Sequence, residues 1–206
     1  MEQVFTDVYE NKDWGDNNNV AYNGSSGKGS GIDYNKDSYV PFLKKYIVEN
    51  NIKNIVDLGC GDFECGKLIY DDLDISYTGY DAYKKIIDYN STQHSLPKYN
   101  FIHLDFCNNK EQIINGELCI LKDVIQHWSL DNIYKFLDYL IEYKKCKYIL
   151  ICNCRNQTAD NTDIQNGDWR QLSCEYLPLR KYNPVKLYTY HSKEVSVIEV
   201  GSNVII

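Results

Sequence analysis

Residues Asn54–Asp62, NIVDLGCGD, decide the fold. Ile55 and Val56 are apolar and β-branched, Asp57 follows, and Leu58-Gly59-Cys60-Gly61-Asp62 runs directly into a polar helix start. This pattern predicts a buried strand that breaks into a glycine turn and opens a helix, where open α/β sheets hold nucleotide-like ligands. Glycine suits the turn because a residue without Cβ lets backbone N–H groups come close to a ligand and tolerates positive φ. The spacing argues against a dinucleotide, since G-x-G-x-x-G needs a third glycine where this chain carries Glu64.

Working outward, Ile75–Asp81 predicts a second strand that also ends on a carboxylate. Asp81 stands 20 residues after Gly61, the spacing at which an acceptor-only carboxylate meets the two ribose hydroxyls of an adenosine. The same residue can cap a helix over Tyr83–Tyr89. Phe101–Phe106 and Leu118–Asp123 read as third and fourth strands, and Tyr148–Cys154 as a fifth, apolar enough to be buried on both faces. Val185–Ser192 and Glu194–Val200 predict a closing hairpin, which Gly201–Ile206 extends or borders.

Asp37 is expected to cap a helix over Ser38–Glu49, where Tyr39, Phe42, Leu43, Tyr46 and Ile47 share one stripe. A second amphipathic helix follows Ser129 or Leu130. Val4–Tyr34 is polar and glycine-rich and reads by composition as a disordered arm. Phe5, Val8, Tyr9 and Trp14 nevertheless need cover, so part of it should dock. Its Gly24–Ser30 run fails as a phosphate loop: Gly29 follows Lys28 where a hydroxyl residue is required, and no strand precedes it.

The chain has 206 residues, 43% hydrophobic and 25% charged, which predicts a single domain with a substantial core. A net charge of −7 argues against a phosphate-binding surface for nucleic acid and favours a small-molecule or glycan partner. The eight cysteines form no C-x-x-C pair and read as buried free thiols in a reducing compartment. With neither a signal-like start nor an 18-residue apolar run, the sequence predicts a soluble protein of the cytoplasm, of a host cell if the source is viral, without a membrane partner.

Asp57 followed by L-G-C-G-D resembles motif I of class I S-adenosylmethionine-dependent methyltransferases. The leader V-Y-E-N-K-D-W-G followed by S-S-G-K-G-S resembles that of a family of small class I methyltransferases associated with glycan building in bacteria and large DNA viruses. Asp123–Trp128 (D-V-I-Q-H-W) and Gly167–Arg170 (G-D-W-R) resemble two further segments of that family. The resemblance implies an α/β, Rossmann-like domain over residues 1–206. It would have a seven-stranded, mostly parallel sheet with one antiparallel strand, helices on both faces, residues 1–36 as a lid and 37–206 as the core.

It also implies S-adenosyl-L-methionine as donor and S-adenosyl-L-homocysteine as product. Donor contacts are expected from Asp57, Gly59, Cys60, Gly61 and Asp62 at the turn, and from Asp81 with Ala82 beside the ribose. Asp105 with Phe106 would lie around the adenine, joined by Lys122, Trp14 and Ser30. Methyl transfer to a hydroxyl needs a base for the departing proton, which makes His127 the candidate. Asp123 is its orienter, the base itself or a donor-side contact, and Arg170 belongs near the acceptor. Leu177 and Cys65 depart from the family pattern and bear on acceptor identity. A sugar hydroxyl of a glycan is the favoured acceptor; a small-molecule or amino acceptor, a nicotinamide-dependent oxidoreductase and a non-catalytic donor-binding subunit are the rivals. No metal is required by the spacing, although Asp123 and Asp168 would share one if the fold brought them together. Oligomeric state is left open.

Overall fold

The computed structural model describes residues 1–160 and 162–201. Strands β1 (Asn54–Leu58), β2 (Ser76–Asp81), β3 (Tyr99–His103), β4 (Leu118–Lys122), β5 (Tyr148–Cys154), β6 (Val185–Tyr190) and β7 (Lys193–Glu199) form one sheet in the order β3-β2-β1-β4-β5-β7-β6. β1 pairs in parallel with both β2 and β4, while β7 is antiparallel to its neighbours β5 and β6. The chain therefore winds outward in one direction from β1 and in the other from β4. The crevice between their carboxyl ends is the topological switch point at which such sheets bind ligands.

Alternation along the strands divides the core. Val56, Cys119, Leu121, Ile149 and Ile151 meet Ile133, Phe136, Leu137 and Leu140 of helix α6 (Leu130–Glu142) on one face. Ile55, Ile120, Leu150 and Val195 meet Tyr39, Val40, Leu43 and Ile47 of helix α3 (Tyr39–Glu49) on the other. The period-2 and period-3.6 patterns thus interlock as the sequence predicts. Ser129 caps α6 through its hydroxyl, which accepts the Asn132 N–H at 3.4 Å. The eight cysteines are free thiols. Among the described residues no helix is long and apolar enough to cross a membrane.

Several boundaries differ from expectation. Ser38, not Asp37, is the N-cap of α3, and its side chain makes no capping bond. β3 ends at His103, so Asp105 and Phe106 lie beyond it in a loop where Asn108 and Asn109 N–H groups turn back to the Asp105 carbonyl. The supposed disordered arm contains helix α1 (Glu2–Glu10), which buries Val8 and Tyr9 and packs Phe5 against the core, and a short helix α2 (Ile32–Asn35). Composition is a poor guide there because a few apolar residues, Phe5, Val8 and Tyr9, face the body of the protein, while Val20 stays exposed. The extension expected beyond Gly201 lies outside the described residues.

Helix α4 (Gly66–Tyr70) starts against the ring of Phe63, which packs among Tyr77, Tyr99 and Phe101. A Cβ on Gly66 would fall 2.2 Å from that ring. The Gly66→Ala substitution is expected to destabilise the protein by about 1–3 kcal/mol through overpacking, read from chemical denaturation.

Candidate active site

The carboxyl ends of β1, β2 and β4 open into a cavity of about 470 Å³ roofed by residues of the leader. Its floor is the glycine turn. The N–H groups of Gly59 and Cys60 donate to the Tyr80 carbonyl on β2 at 2.8 and 3.0 Å, which fixes the bend against the sheet. Gly59 has φ +89°, and a Cβ there would meet Val124 Cγ2 at 2.4 Å; Gly61 has φ +54°, and a Cβ there would meet Ser26 Oγ at 2.4 Å. Both conformation and crowding therefore demand glycine.

Three carboxylates surround this turn. Asp81 accepts the N–H of Gly61 at 3.1 Å and of Tyr83 at 3.0 Å, so it joins the turn to the start of helix α5 (Lys84–Gln93) while still lining the cavity. Burial nevertheless pushes its pKa up, as it does for Asp62. Asp57 accepts the Tyr77 hydroxyl at 2.8 Å, and burial raises it to about 6 despite that bond and the nearby Lys122. Cys60 and Ala82 also line the cavity.

The leader is bolted to the turn. Ser26 N–H donates to Asp62 at 3.2 Å, the Asp62 N–H returns a bond to Ser26 Oγ at 2.9 Å, and the Tyr9 hydroxyl lies 3.0 Å from the same oxygen. The Tyr9 ring stacks on Tyr83 at 4.6 Å. Asp105 accepts the Glu2 N–H at 2.9 Å and pairs with the Met1 ammonium at 3.1 Å, so this cavity-lining carboxylate also anchors α1. Phe106 lines the cavity and packs on Trp128. Ser30 contributes its carbonyl, which accepts the Cys65 thiol at 3.4 Å.

On the opposite side, a 3-10 turn over Ile125–His127 delivers His127, which is nine-tenths buried, to the cavity. Its Nδ1 lies 2.9 Å from the Asp168 carbonyl and its Nε2 lies 3.3 Å from the Gln126 amide nitrogen. A carbonyl only accepts, so Nδ1 carries the proton and Nε2 presents a lone pair. Burial pushes the pKa of this imidazole down, which keeps it neutral. The Trp14 ring leans on it at 4.9 Å.

Asp123 does not orient His127. It sits at φ +60° after β4, and its carboxylate is claimed by Lys122 at 2.8 Å and by Lys193, the first residue of β7. Burial works to raise this carboxyl, and the two ammoniums prevail, holding it below the ordinary carboxylate range. Asp168 turns its own carboxylate to the Gln165 N–H instead of joining Asp123. Arg170 does not line the cavity: its buried guanidinium donates to the Trp128 carbonyl and to the Thr162 carbonyl at 3.0 Å, bracing the loop that holds Asp168. Its neighbour Trp169 lines the cavity and is half exposed. Sequence reasoning missed Tyr9, Ser26, Gln126 and Lys193. Tyr9 was legible only as a residue needing cover, and Ser26 and Gln126 only as members of the leader and D-V-I-Q-H-W segments; Lys193 left no signal. Removing the Ser26 hydroxyl (Ser26→Ala) is expected to speed amide exchange in Glu2–Glu10 by about tenfold, measured by hydrogen–deuterium exchange, because that oxygen joins Tyr9 of α1 to the Asp62 N–H of the body.

No family model matches the chain, and no curated protein matches it. Among solved structures it is similar to the methyltransferase domain of bacterial CtHen1-C, with 13% identity, a TM-score of 0.61 and coverage of 79% of this chain and 97% of that one. It is similar also to magnesium protoporphyrin IX methyltransferase (ChlM) from Synechocystis PCC 6803 with bound S-adenosylmethionine, with 11% identity, a TM-score of 0.61 and 95% of each chain covered. Human N-acetylserotonin methyltransferase in complex with S-adenosylmethionine gives 14% identity and a TM-score of 0.61 over 83% of this chain and 54% of that one. In fold, this chain is a Rossmann-like protein of the kind on which S-adenosylmethionine-dependent methyltransferases are built.

Proposed function

We propose that the chain is one methyltransferase domain, with residues 1–36 as its lid, that transfers a methyl group from S-adenosylmethionine to an oxygen, most simply a sugar hydroxyl. The observation that carries this reading is the joining of two chemistries in one cavity: a glycine turn ringed by buried carboxylates, and a neutral histidine whose Nε2 lone pair, met by the Gln126 amide at 3.3 Å, can take up a proton. The donor, when bound, supplies an electrophilic methyl on a positively charged sulfur.

This chain's residues suit that donor. Asp81, held by two backbone N–H groups, keeps acceptor capacity for ribose hydroxyls. Asp57 and Asp62, both raised by burial, offer negative charge that a cationic ligand would stabilise. Lys122 stands beside Asp57 and is suited to the carboxylate of the donor's amino-acid tail. Ala82, Asp105 and Phe106 bound the adenine end, and Gly59, Cys60 and Gly61 the bend beneath the sulfur. Trp14 and Ser30 close the roof.

On the acceptor side, His127 takes the hydroxyl proton as the oxygen's electron pair forms the bond to the methyl carbon and the carbon–sulfur pair returns to sulfur. The Asp168 carbonyl fixes the tautomer, and Gln126 holds the ring from the other edge. Arg170 acts at a distance, by bracing the loop that carries that carbonyl. The two glycan-linked sequence features, the leader and the G-D-W-R segment, support the sugar assignment.

Isothermal titration with S-adenosylhomocysteine, followed by labelled-methyl transfer to a panel of sugars and amines, tests the reading; no binding, or transfer to amines alone, rejects it. His127→Ala is expected to lower kcat by about 10²–10⁴-fold while S-adenosylhomocysteine affinity stays within about twofold. A second expectation concerns pH. Asp57, faced by Tyr77, Lys122 and Asp81, has its pKa raised to about 6, so it is charged at neutral pH and protonated below. A cationic donor favours the charged form. Affinity for S-adenosylmethionine should therefore be level near neutral pH and fall below about 6 by at most about tenfold per pH unit.

A further inference from the structure

The cavity is electrically two-sided. Around the glycine turn its charged lining is Asp57, Asp62, Glu64 and Asp81, all acidic. Its other charged lining is Lys28, Lys122 and Lys193 against a single carboxylate, Asp123. Asp105 belongs to neither side, since the Met1 ammonium answers it.

The basic half holds together as one group. Lys122 Nζ donates to the Gly29 carbonyl at 3.0 Å and to Asp123 at 2.8 Å. Lys193 Nζ pairs with the other Asp123 oxygen, lies 3.2 Å from Cys154 Sγ, and sits 3.3 Å from where a Cβ on Gly29 would be. Lys28 is the residue immediately before that glycine. It is exposed and has no carboxylate partner among the described residues.

Two buried ammoniums thus share one carboxylate, and a third stands unpaired at the rim, in a chain whose net charge is −7. A buried excess of positive charge is unfavourable unless a counter-charge meets it. A cationic donor is the wrong sign to provide one. The donor's own carboxylate accounts for a single ammonium, and Lys122 is the one placed for it, since it acts on Asp57 at the turn. Lys193 lines the cavity with His127, bound to Asp123 and 3.2 Å from Cys154 Sγ. With Asp123 offsetting one of the two remaining cations, a net charge of +1 over Lys193 and Lys28 is left for whatever occupies the acceptor half.

We propose that the acceptor is an acidic sugar, one bearing a carboxylate or phosphate beside the hydroxyl to be methylated, with its anion seated between Lys193 and Lys28. Trp14 and Trp169, which both line this half, cover the apolar face of the ring. The inference rests on the methyltransferase reading and narrows its substrate class.

The test titrates the protein loaded with S-adenosylhomocysteine, by NMR, with D-glucuronate, glucose 6-phosphate and D-glucose. One or both acids should bind at least about tenfold more tightly than glucose. The acid that wins tells carboxylate from phosphate. Lys28→Ala removes a rim charge without unpairing Asp123, and it should erase most of that preference; Lys193→Gln should erase the rest, with folding checked by thermal denaturation. Equal binding of the three sugars, binding of none, or a preference that survives Lys28→Ala unchanged overturns the inference and leaves the donor reading standing. Failure of S-adenosylhomocysteine itself to bind removes the reading on which it rests.

Discussion

A parallel sheet that ends three adjacent strands on aspartate must find partners for those carboxylates out of reach of bulk water. β1, β2 and β4 carry Asp57, Asp81 and, one residue past the end, Asp123 to the same rim. An unpaired buried charge costs several kcal/mol, so each must be met. Asp81 is met by backbone N–H groups, Asp57 by the Tyr77 hydroxyl, and Asp123 by two lysines. Asp62, one turn on, is met by Ser26 of the leader. Docking of the first thirty residues follows from that need as much as from burial of Val8 and Tyr9.

The antiparallel strand has a chemical consequence. Because β7 runs against β5, its first residue, not its last, arrives at the carboxyl rim, where Lys193 registers with Cys154. Had β7 run parallel, its carboxyl end, Glu199, would stand there, and Asp123 would have Lys122 alone. The topology therefore places a cation beyond the parallel strands, whose rim residues are largely acidic.

Those features that depend on neighbours in sequence were legible in it: the glycine turn, Asp81 at its fixed spacing, and the seven-stranded, mostly parallel sheet implied by the resemblance. Interactions across the fold were not. Arg170 looked like an acceptor ligand because guanidinium suits sugars and carboxylates, yet two backbone carbonyls forty-two and eight residues away consume it. Asp123 looked like a partner for His127 because only three residues separate them. Its carboxylate is taken instead by Lys122 and Lys193. The leader looked disordered because glycine and asparagine dominate its composition, whereas a handful of contacts, Ser26 with Asp62 and Tyr9 with Tyr83, decides its state.

The separation of charge within the cavity bears on the direction of the proposed reaction. Methyl transfer removes a positive charge from sulfur, beside the acidic wall, and places a proton on His127, beside the basic one. Product sulfur no longer offsets Asp57 and Asp62, so the donor half loses attraction for what it holds. Burial disfavours the new imidazolium and prevails over the Asp168 carbonyl and the Asp123 charge, which favour it. An imidazolium so placed sheds its proton readily, restoring the neutral base.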